Sequence, residues 1–511
     1  MKSTSQIVFS VTVITLLSRV LSLASLQLYM SFFGPQNLYL NIYSFALGIP
    51  NIIFNCIGTA ITAVVVPIYS SLLVKKEILK AEAFLNDIIT ISCMIILLLV
   101  SVGFFAAPFI AGFTHYRYDQ ESFEFLVFSL RVLMPAMFFY GLNYIFQGIL
   151  HSNGRFKLPA FVTTPSSLVV ISYVLLFGHA YGVRGLLFAT VFGLSLQAFV
   201  LLPSIIKMGY RYKPSINLKS EEMKTAAKLT LPVLVSVSSF QINMFFNTTL
   251  ATRFNTVTIM GYVQNLILVI ILSIVYSITA VYFPKLTELW SINNKDEYKS
   301  TLNNIIMVVI FLLMPATAGF VILRFELINL LAQWGDFDEY SAILAANMFG
   351  IYGLGIIFVG LKEVLDKAFY SQKNSKTPAI FGFIIMAVNI SFSLFFIDYL
   401  GTFSMPMAYS VSTFVGALGL ILVMNRKVRI IDKDMIVGII KCLISSVIMF
   451  LVLQYIMPQV RGLSIGGEFI TRSIRLFLPV GVGVIVYFLM AFVLKIKQAE
   501  ILFSYILKRR S

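Results

Sequence analysis

Charged residues are scarce in this sequence. Only 12% of its 511 residues are Asp, Glu, Lys or Arg, whereas ordinary soluble domains carry roughly a quarter. Hydrophobic residues make up 59%, and the mean hydropathy is +0.91. A water-soluble chain of this length could not bury so many apolar side chains, so lipid must be the solvent for most of them. The composition therefore predicts an integral membrane protein.

Cysteine and histidine, the residues most often found in catalytic and metal sites, are also few. The three cysteines, Cys56, Cys93 and Cys442, lie inside apolar segments and show neither metal-ligand nor disulfide spacing. The three histidines are far apart in sequence, and no glycine-rich phosphate loop follows a strand. We therefore expect no catalytic residues, no metal and no cofactor, and we predict that the protein is not an enzyme.

The net charge of +16 does not indicate nucleic acid. The basic residues sit in short loops between apolar runs, without the aromatic interleaving of a nucleic-acid surface. The first apolar stretch is about 27 residues long and has no small-residue cleavage site, so it is not typical of a cleaved signal peptide.

The chain contains fourteen apolar runs long enough to span about 30 Å of hydrocarbon. They are continuous rather than alternating, which predicts an all-α fold and excludes a β-barrel. The runs lie near 7–32, 38–73, 82–112, 124–150, 159–180, 183–206, 225–252, 256–284, 301–325, 340–370, 378–399, 403–425, 435–457 and 470–494.

Lysine and arginine are distributed unequally between alternate loops. One set, with both chain ends, holds 26 basic residues, including Lys2 and the tail residues Lys508, Arg509 and Arg510. The opposite set holds 7. Basic residues mark the cytoplasmic side. We predict that both termini are cytoplasmic, in agreement with an even number of spans.

An internal repeat is visible at one nearly constant offset in the numbering. Ser152, Lys157 and Pro159 recur as Ser371, Lys376 and Pro378, while the segment 85–89 recurs as 302–306 at almost the same offset. The pattern predicts two parallel six-helix lobes, 1–206 and 225–425, joined by a basic cytoplasmic linker at 207–224. Two further helices and a basic tail occupy 426–511. Such a duplication favours alternating access between the lobes.

Several short motifs resemble one known family. They are Ser18-Arg19-Val20-Leu21, Ile49-Pro50-Asn51, Arg155-Phe156-x-x-Pro159-Ala160-Phe161, Asp296-Glu297-Tyr298, Phe369-Tyr370-Ser371 and Lys376-Thr377-Pro378. In this order they resemble the MurJ (MviN) lipid II flippases, within the superfamily of oligosaccharide-lipid flippases and multidrug extruders. Fourteen helices is also that family's number.

The resemblance implies movement of a polyprenyl-diphosphate-linked peptidoglycan precursor from the cytoplasmic to the outer leaflet of the bacterial inner membrane. Membrane lipids and cell-wall synthesis proteins are the implied partners. Arg19 matches one of the family's cavity arginines. The other charged positions of the family fall on neutral residues here, namely Ser25, Leu26, Asn41, Phe54 and Asn265.

Arg19 is the charged residue of most interest. It lies about 12 residues into the first apolar run, close to the middle of the bilayer, where a charge is costly unless it faces water or a partner. We interpret it as an anchor for a substrate phosphate, for which arginine is well suited. A structural role, with backbone carbonyls as partners, stays open.

Neutral polar side chains form the second set of candidates. Asn41, Asn51 and Asn265 are predicted to bind substrate sugar hydroxyls or amides, and so is Asn243, which shares a helix face with Asn247. The open alternatives are satisfaction of the backbone freed by Pro50 and hydrogen bonding between helices.

The tenth apolar run, 340–370, ends in a cluster of charges. Lys362 with Asp366, and Glu363 with Lys367, are oppositely charged pairs at i, i+4. We interpret the cluster as a cytoplasmic gate, with ion coupling through Glu363 or Asp366 as the alternative. Other functions stay open as well: a flippase of another lipid-linked oligosaccharide, a non-transporting scaffold, or a drug extruder.

Overall fold

A computed structural model describes residues 4–500, apart from the side chains of 4–9, 12, 60, 62–63, 231–232, 235–236, 270–274, 276–277 and 280–281. Throughout this range the secondary structure is helical, and no strand occurs in it. The predicted all-α membrane architecture is thereby confirmed. The topology signals Lys2, Lys508, Arg509 and Arg510 lie outside the described residues.

The first compact unit extends to Gly261 and includes the short segment Gly335–Phe337. Its helices pack mainly as α2 on α8 and α5, and as α7 on α1 and α5. They are α1 (Thr4–Phe33), α2 (Leu38–Val74), α3 (Ile78–Gly112), α4 (Gln120–Leu133), α5 (Ala136–Ser152), α6 (Lys157–Phe161), α7 (Thr164–Ile206) and α8 (Glu221–Ala251).

The second unit takes Tyr262–Trp334 and the chain after Phe337. In it α14 packs on α15, and α16 packs on α17 and α10. Its helices are α9 (Val257–Ser291), which begins in the first unit, α10 (Lys295–Ile322), α11 (Arg324–Leu331), α12 (Glu339–Leu354), α13 (Ile356–Ser371), α14 (Lys376–Leu400), α15 (Ser404–Val428), α16 (Lys433–Gly462) and α17 (Glu468–Val493).

Six helices begin at a side chain that caps the first turn. In each case an Asn, Asp or Ser oxygen accepts a hydrogen bond from the backbone N–H three positions later, which satisfies a donor that the helix leaves free. The capping residues are Asn37, Asp119, Ser220, Asn294, Asp338 and Asp432. At one of them, hydrogen bonds from Ser122 hold the pKa of Asp119 below its usual value.

Within the described residues, nine helical stretches are long and apolar enough to cross a bilayer, or ten with the bent pair α12–α13. Two of them, Lys157–Ile206 and Lys376–Val428, contain 50 and 53 residues. A single crossing needs about 20, so each of these two is long enough for two crossings. The two remaining predicted runs, near 225–252 and 256–284, are also helical and correspond to α8 and α9. The total of fourteen crossings stays a prediction.

Proline does not interrupt α2. Pro50 has no backbone N–H to donate within the helix, so an interruption is expected there. The helix α2 nevertheless continues through both Pro50 and Pro67 to Val74. Proline removes one hydrogen bond and bends a helix, but in a membrane neighbouring groups can satisfy the freed carbonyl.

The repeated sequence is accompanied by repeated backbone geometry. Gly182 in α7 and Gly401 after α14 both have φ of 55°, with ψ of −149° and −133°, and the offset between them is the one that relates Ser152 to Ser371. Gly154 after α5 and Lys373 after α13 both have positive φ, 69° and 57°, at the same offset. The helices therefore turn at equivalent points in the two halves.

The repeated Asn86 and Asn303 hold equivalent segments. Asn86 Oδ1 accepts hydrogen bonds from the Lys213 backbone N–H (3.0 Å) and the Tyr210 hydroxyl (2.7 Å). Asn303 Nδ2 donates to the Ile430 carbonyl at 2.8 Å, and Ile430 follows Lys213 by the same offset that separates the two asparagines. Each asparagine is hydrogen-bonded to the segment that follows the last helix of its predicted lobe. The lobe boundaries at 206, 225 and 425 stay a prediction.

Candidate functional site

Arg19 lies on the side of α1 away from its packing partner. The packed side is a seam of hydroxyls, in which Ser18 bonds Thr164 at 3.0 Å and Ser22 bonds Ser167 at 3.1 Å. Arg19 itself is exposed. Among the described residues it has no hydrogen-bond or ion-pair partner. Its guanidinium is therefore available to a ligand, and no contact in the described part supports the structural alternative.

Asn51 and Asn55 form a polar stripe on α2, one turn apart. Asn51 is half-buried and Asn55 is exposed. The Tyr144 hydroxyl of α5 donates to Asn55 Oδ1 at 3.2 Å. Gly58 allows this approach, because a Cβ there would lie 2.2 Å from the Tyr144 ring. Asn51 therefore lies beside a neutral surface of amides and phenols.

Asn41 has a structural position in this conformation. It has no exposed surface, and its Nδ2 donates to the carbonyls of Pro35 (2.8 Å) and Asn37 (3.0 Å). Its Oδ1 accepts from the Thr258 backbone N–H at 3.0 Å. These bonds tie the start of α2 to the start of α9. Substrate binding by Asn41 stays a prediction that this geometry does not support.

Asn243 and Asn247 of α8 are both buried, and Asn247 Nδ2 donates to Asn243 Oδ1 at 3.3 Å. The i, i+4 pair expected from the spacing is thus present. Its burial favours the alternative of hydrogen bonding within the helix packing, whereas substrate contact by Asn243 stays a prediction.

In the second unit, Asn265 is exposed on α9. Its neighbour Gln264 donates to the Tyr352 hydroxyl at 2.9 Å, and Tyr352 packs edge-on against Tyr409 with ring centroids 5.2 Å apart. Gln264 is therefore held by α12, while Asn265 presents an amide on the exposed side of α9.

The charged cluster of α13 contains one of its two predicted ion pairs. Lys362 Nζ lies 2.6 Å from Asp366 Oδ2, and Asp366 is buried. Glu363 and Lys367 do not approach to ion-pair distance. The Lys367 ammonium lies over the rings of Phe283 and Tyr370 instead, 5.8 Å from each centroid.

Asp366 keeps one unused acceptor. Its Oδ1 is buried and accepts no hydrogen bond from the part of the chain that the structure describes. Glu363, one turn earlier on α13, is half-buried. A buried carboxylate with a free oxygen is costly unless it serves a proton or a cation. The geometry is consistent with either role predicted for this cluster.

A neutral network in the first unit has no counterpart among the predicted site residues. Asn143 of α5 accepts from Gln147 Nε2 (3.1 Å) and donates to Gln197 Oε1 of α7 (3.1 Å), and Gln197 Nε2 donates to Ser166 (2.7 Å). The i, i+4 spacing of Asn143 and Gln147 could have indicated its first bond. Nothing in the sequence pairs Asn143 with a side chain on a different helix.

Five predicted substrate residues are thus divided between the units. Arg19, Asn41, Asn51 and Asn243 lie in the first unit, and Asn265 lies in the second. Arg19, Asn51 and Asn243 are not hydrogen-bonded to one another. No group of three or more His, Cys, Asp or Glu within the described ranges could hold a metal ion.

Comparison with known proteins gives a consistent result. The sequence model of the lipid II flippase MurJ family matches residues 30–473. A probable lipid II flippase MurJ of Borreliella burgdorferi is 24% identical over 85% of this chain and 86% of its own. The corresponding protein of Treponema pallidum is 26% identical over 84% of each chain.

Solved structures show the same fold. A lipid II flippase MurJ in an inward closed conformation superposes with a TM-score of 0.79 at 22% identity, covering 94% of this chain and 98% of the other. An inward-facing multidrug MATE transporter reaches 0.66 at 16% identity, over 80% and 94%. Since the family model covers most of the sequence, the chain belongs to the lipid II flippase MurJ family.

Proposed function

We propose that this protein moves lipid II, the polyprenyl-diphosphate-linked peptidoglycan precursor, from the cytoplasmic to the outer leaflet of the bacterial inner membrane. The family match over residues 30–473 carries the proposal. Both termini are cytoplasmic in this proposal, as the excess of basic residues on one side predicts.

Arg19 is the proposed anchor for the diphosphate. It is near the middle of α1, exposed and without a partner in the described residues, so it is free to form bidentate hydrogen bonds with phosphate oxygens. Asn51, in the same unit, then contacts the neutral sugar or peptide portion. With fewer charges than its family, such a site depends more strongly on Arg19.

Movement follows an alternating-access scheme between the two predicted lobes. The α13 cluster, with its buried Lys362–Asp366 pair, acts as the cytoplasmic gate of the second lobe. Breaking and re-forming a buried ion pair gives such a gate two discrete states. Cell-wall synthesis enzymes that consume lipid II are the proposed partners.

Complementation tests the proposal. The gene is expressed in cells whose own lipid II flippase can be switched off, and growth is measured. We expect the wild type to restore growth and Arg19→Ala to fail, because the diphosphate loses its anchor. Arg131→Ala is the matched control, since Arg131 is also an exposed helical arginine and packs over the Phe104 ring at 5.3 Å.

The outcomes separate the parts of the proposal. A wild type that is inserted but does not support growth would contradict the lipid II function. Normal growth with Arg19→Ala would contradict only the anchor role. Loss of growth with Arg131→Ala as well would indicate a general sensitivity to loss of arginine rather than a site.

A further inference from the structure

A cavity of about 760 Å³ lies in the second unit, beside the loop that joins α16 to α17. This volume is within the range of small-molecule sites, roughly 300–1,000 Å³. Three arginines and three glutamates line it, so its formal charges balance. They are Arg461, Arg472, Arg475, Glu326, Glu339 and Glu468.

Glu326 is the most deeply buried of these charges, with 5% of its side chain exposed. Its Oε1 accepts a hydrogen bond from Arg461 Nε at 2.6 Å. Its Oε2 is buried and receives none from any described residue. A buried carboxylate oxygen without a donor is costly. The cavity therefore contains an acceptor prepared for an N–H group of a ligand.

Two arginines have donors to spare. Arg461 is half exposed and uses only Nε within the described chain. Arg475 directs Nε and Nη2 to the Leu463 carbonyl, at 3.0 and 2.7 Å, and keeps Nη1. Guanidinium nitrogens in this position are suited to phosphate oxygens.

Arg472 has a different role in the wall of the cavity. It donates to the backbone carbonyls of Asn329 and Gln333, pairs with Glu468, and stacks 4.4 Å above the Trp334 ring. These contacts hold α17 against the end of α11. Arg472 therefore builds the site and leaves ligand contact to Arg461 and Arg475.

The cavity lies at the level where lipid head groups are found. Both α16 and α17 are long and apolar enough to span the membrane, and Arg461 is in the last turn of α16. The loop between two spanning helices lies at the membrane surface, beside the phospholipid head groups.

We propose that this cavity binds the head group of phosphatidylethanolamine. The phosphodiester contacts Arg461 and Arg475, and the primary ammonium donates to Glu326 Oε2. Phosphatidylglycerol has the same phosphate but no cation for Glu326. Phosphatidylcholine has the cation but no N–H to donate. The site is separate from the flippase function proposed above and does not depend on it.

The direct test measures lipid retention by the full-length protein in detergent, using native mass spectrometry. Phosphatidylethanolamine, its mono- and dimethyl forms and phosphatidylcholine are compared with identical acyl chains. We expect affinity to fall by about tenfold in total along this series, chiefly when the last N–H is lost, because that hydrogen bond joins two charged groups. Equal affinity for all four lipids would overturn the proposal without any mutation.

A substitution and a competitor locate the binding. Glu326→Gln is expected to remove the preference for phosphatidylethanolamine over phosphatidylcholine, whereas Glu221→Gln, whose partner Lys224 lies 2.8 Å away on the surface of α8, is expected to keep it. A preference that survives in Glu326→Gln would contradict this site. Soluble glycerophosphoethanolamine should compete with the lipid. Failure to compete at any concentration would show that the acyl chains, not the head group, are recognised, and would also overturn the proposal.

Discussion

Helices α5 and α13 end at Ser152 and Ser371, the repeated serines of the two halves, and carry polar pairs at equivalent positions. In α5 the pair is neutral, with Gln147 donating to Asn143 at 3.1 Å. In α13 it is charged, with Lys362 2.6 Å from Asp366. The two halves thus share a backbone design and differ in electrostatics.

The surroundings of the two pairs also differ: they are polar around the α5 pair and apolar at the equivalent positions of the second half. Asn143 is continued by Gln197 and Ser166 into a hydrogen-bonded chain. The equivalent residues of the second half are Gly416 and Ile385, where a Cβ on Gly416 would lie 2.3 Å from Ile385 Cδ1. A neutral network that satisfies its members stabilises one fixed packing. A buried charge with a free oxygen is costly, and it is more readily explained by a functional role than by stability.

The largest expected effect comes from breaking the charged pair. Asp366→Ala leaves the Lys362 ammonium without its partner, and we expect a loss of about 3 kcal/mol in unfolding free energy. Thermal unfolding of the purified protein in detergent measures it. Lys224→Ala, which removes an exposed ion pair, serves as the control and should change little. An Asp366→Ala protein as stable as the wild type would show that the pair has no energetic weight.

A smaller loss is expected in the neutral network. Gln197→Leu removes the acceptor of Asn143 Nδ2 and the donor to Ser166, while the bonds from Gln147 to Asn143 and from Ser166 to the Thr163 carbonyl remain. Loss of these two bonds costs about 1–3 kcal/mol. The same unfolding measurement applies, with Gln120→Leu on the surface of α4 as control. If Gln197→Leu costs more than Asp366→Ala, the contrast between the two halves is reversed.

The double substitution Lys362→Asn with Asp366→Gln copies the α5 pair into α13. Stability should remain within about 1 kcal/mol of the wild type, since both charges leave together. Growth in the complementation assay should nevertheless fall, because the proposed gate needs the charges. A stable double variant with full activity would leave the ion pair without a functional role.

The smallest effect concerns the turns that follow these helices. Gly154 and Lys373 occupy equivalent left-handed positions, with φ of 69° and 57°. Lysine is strained there and glycine is not. The relief of this strain is partly offset by the greater freedom of glycine in the unfolded chain, so Lys373→Gly should raise stability by about 0.5 kcal/mol. Gly154→Lys should lower it. Calorimetry measures both changes. A loss of stability in Lys373→Gly, or no loss in Gly154→Lys, would show that the two turns are not equivalent.

Much of this fold could be predicted because each membrane helix requires a long apolar run in the sequence. All fourteen runs fall on helices, and the boundary expected between 180 and 183 lies at Gly182, inside α7. Sequence reasoning also found the Lys362–Asp366 pair, since i, i+4 neighbours meet on any helix. The Phe283 ring under the Lys367 ammonium belongs to another helix, α9, and no local pattern predicts that contact.

The site was predicted less completely, because several of its residues are positioned by contacts with other helices. An arginine in the middle of α1 is conspicuous in any sequence, whereas the burial of Asn41 depends on the Thr258 backbone at the start of α9. The cavity around Glu326 combines residues of α11, α12, α16 and α17. Its arginines appear in the sequence only as isolated charges between apolar runs.

Lipid II translocation is the central claim, and one measurement tests it most directly. In cells depleted of their own flippase, an externally added hydrolase that cleaves lipid II reports how much has reached the outer leaflet. We predict that the wild-type protein restores cleavage, and that Arg19→Ala reduces it by about tenfold, because a charge-assisted contact with the diphosphate is lost. Undiminished protection of lipid II in cells that contain the inserted wild-type protein would contradict the account.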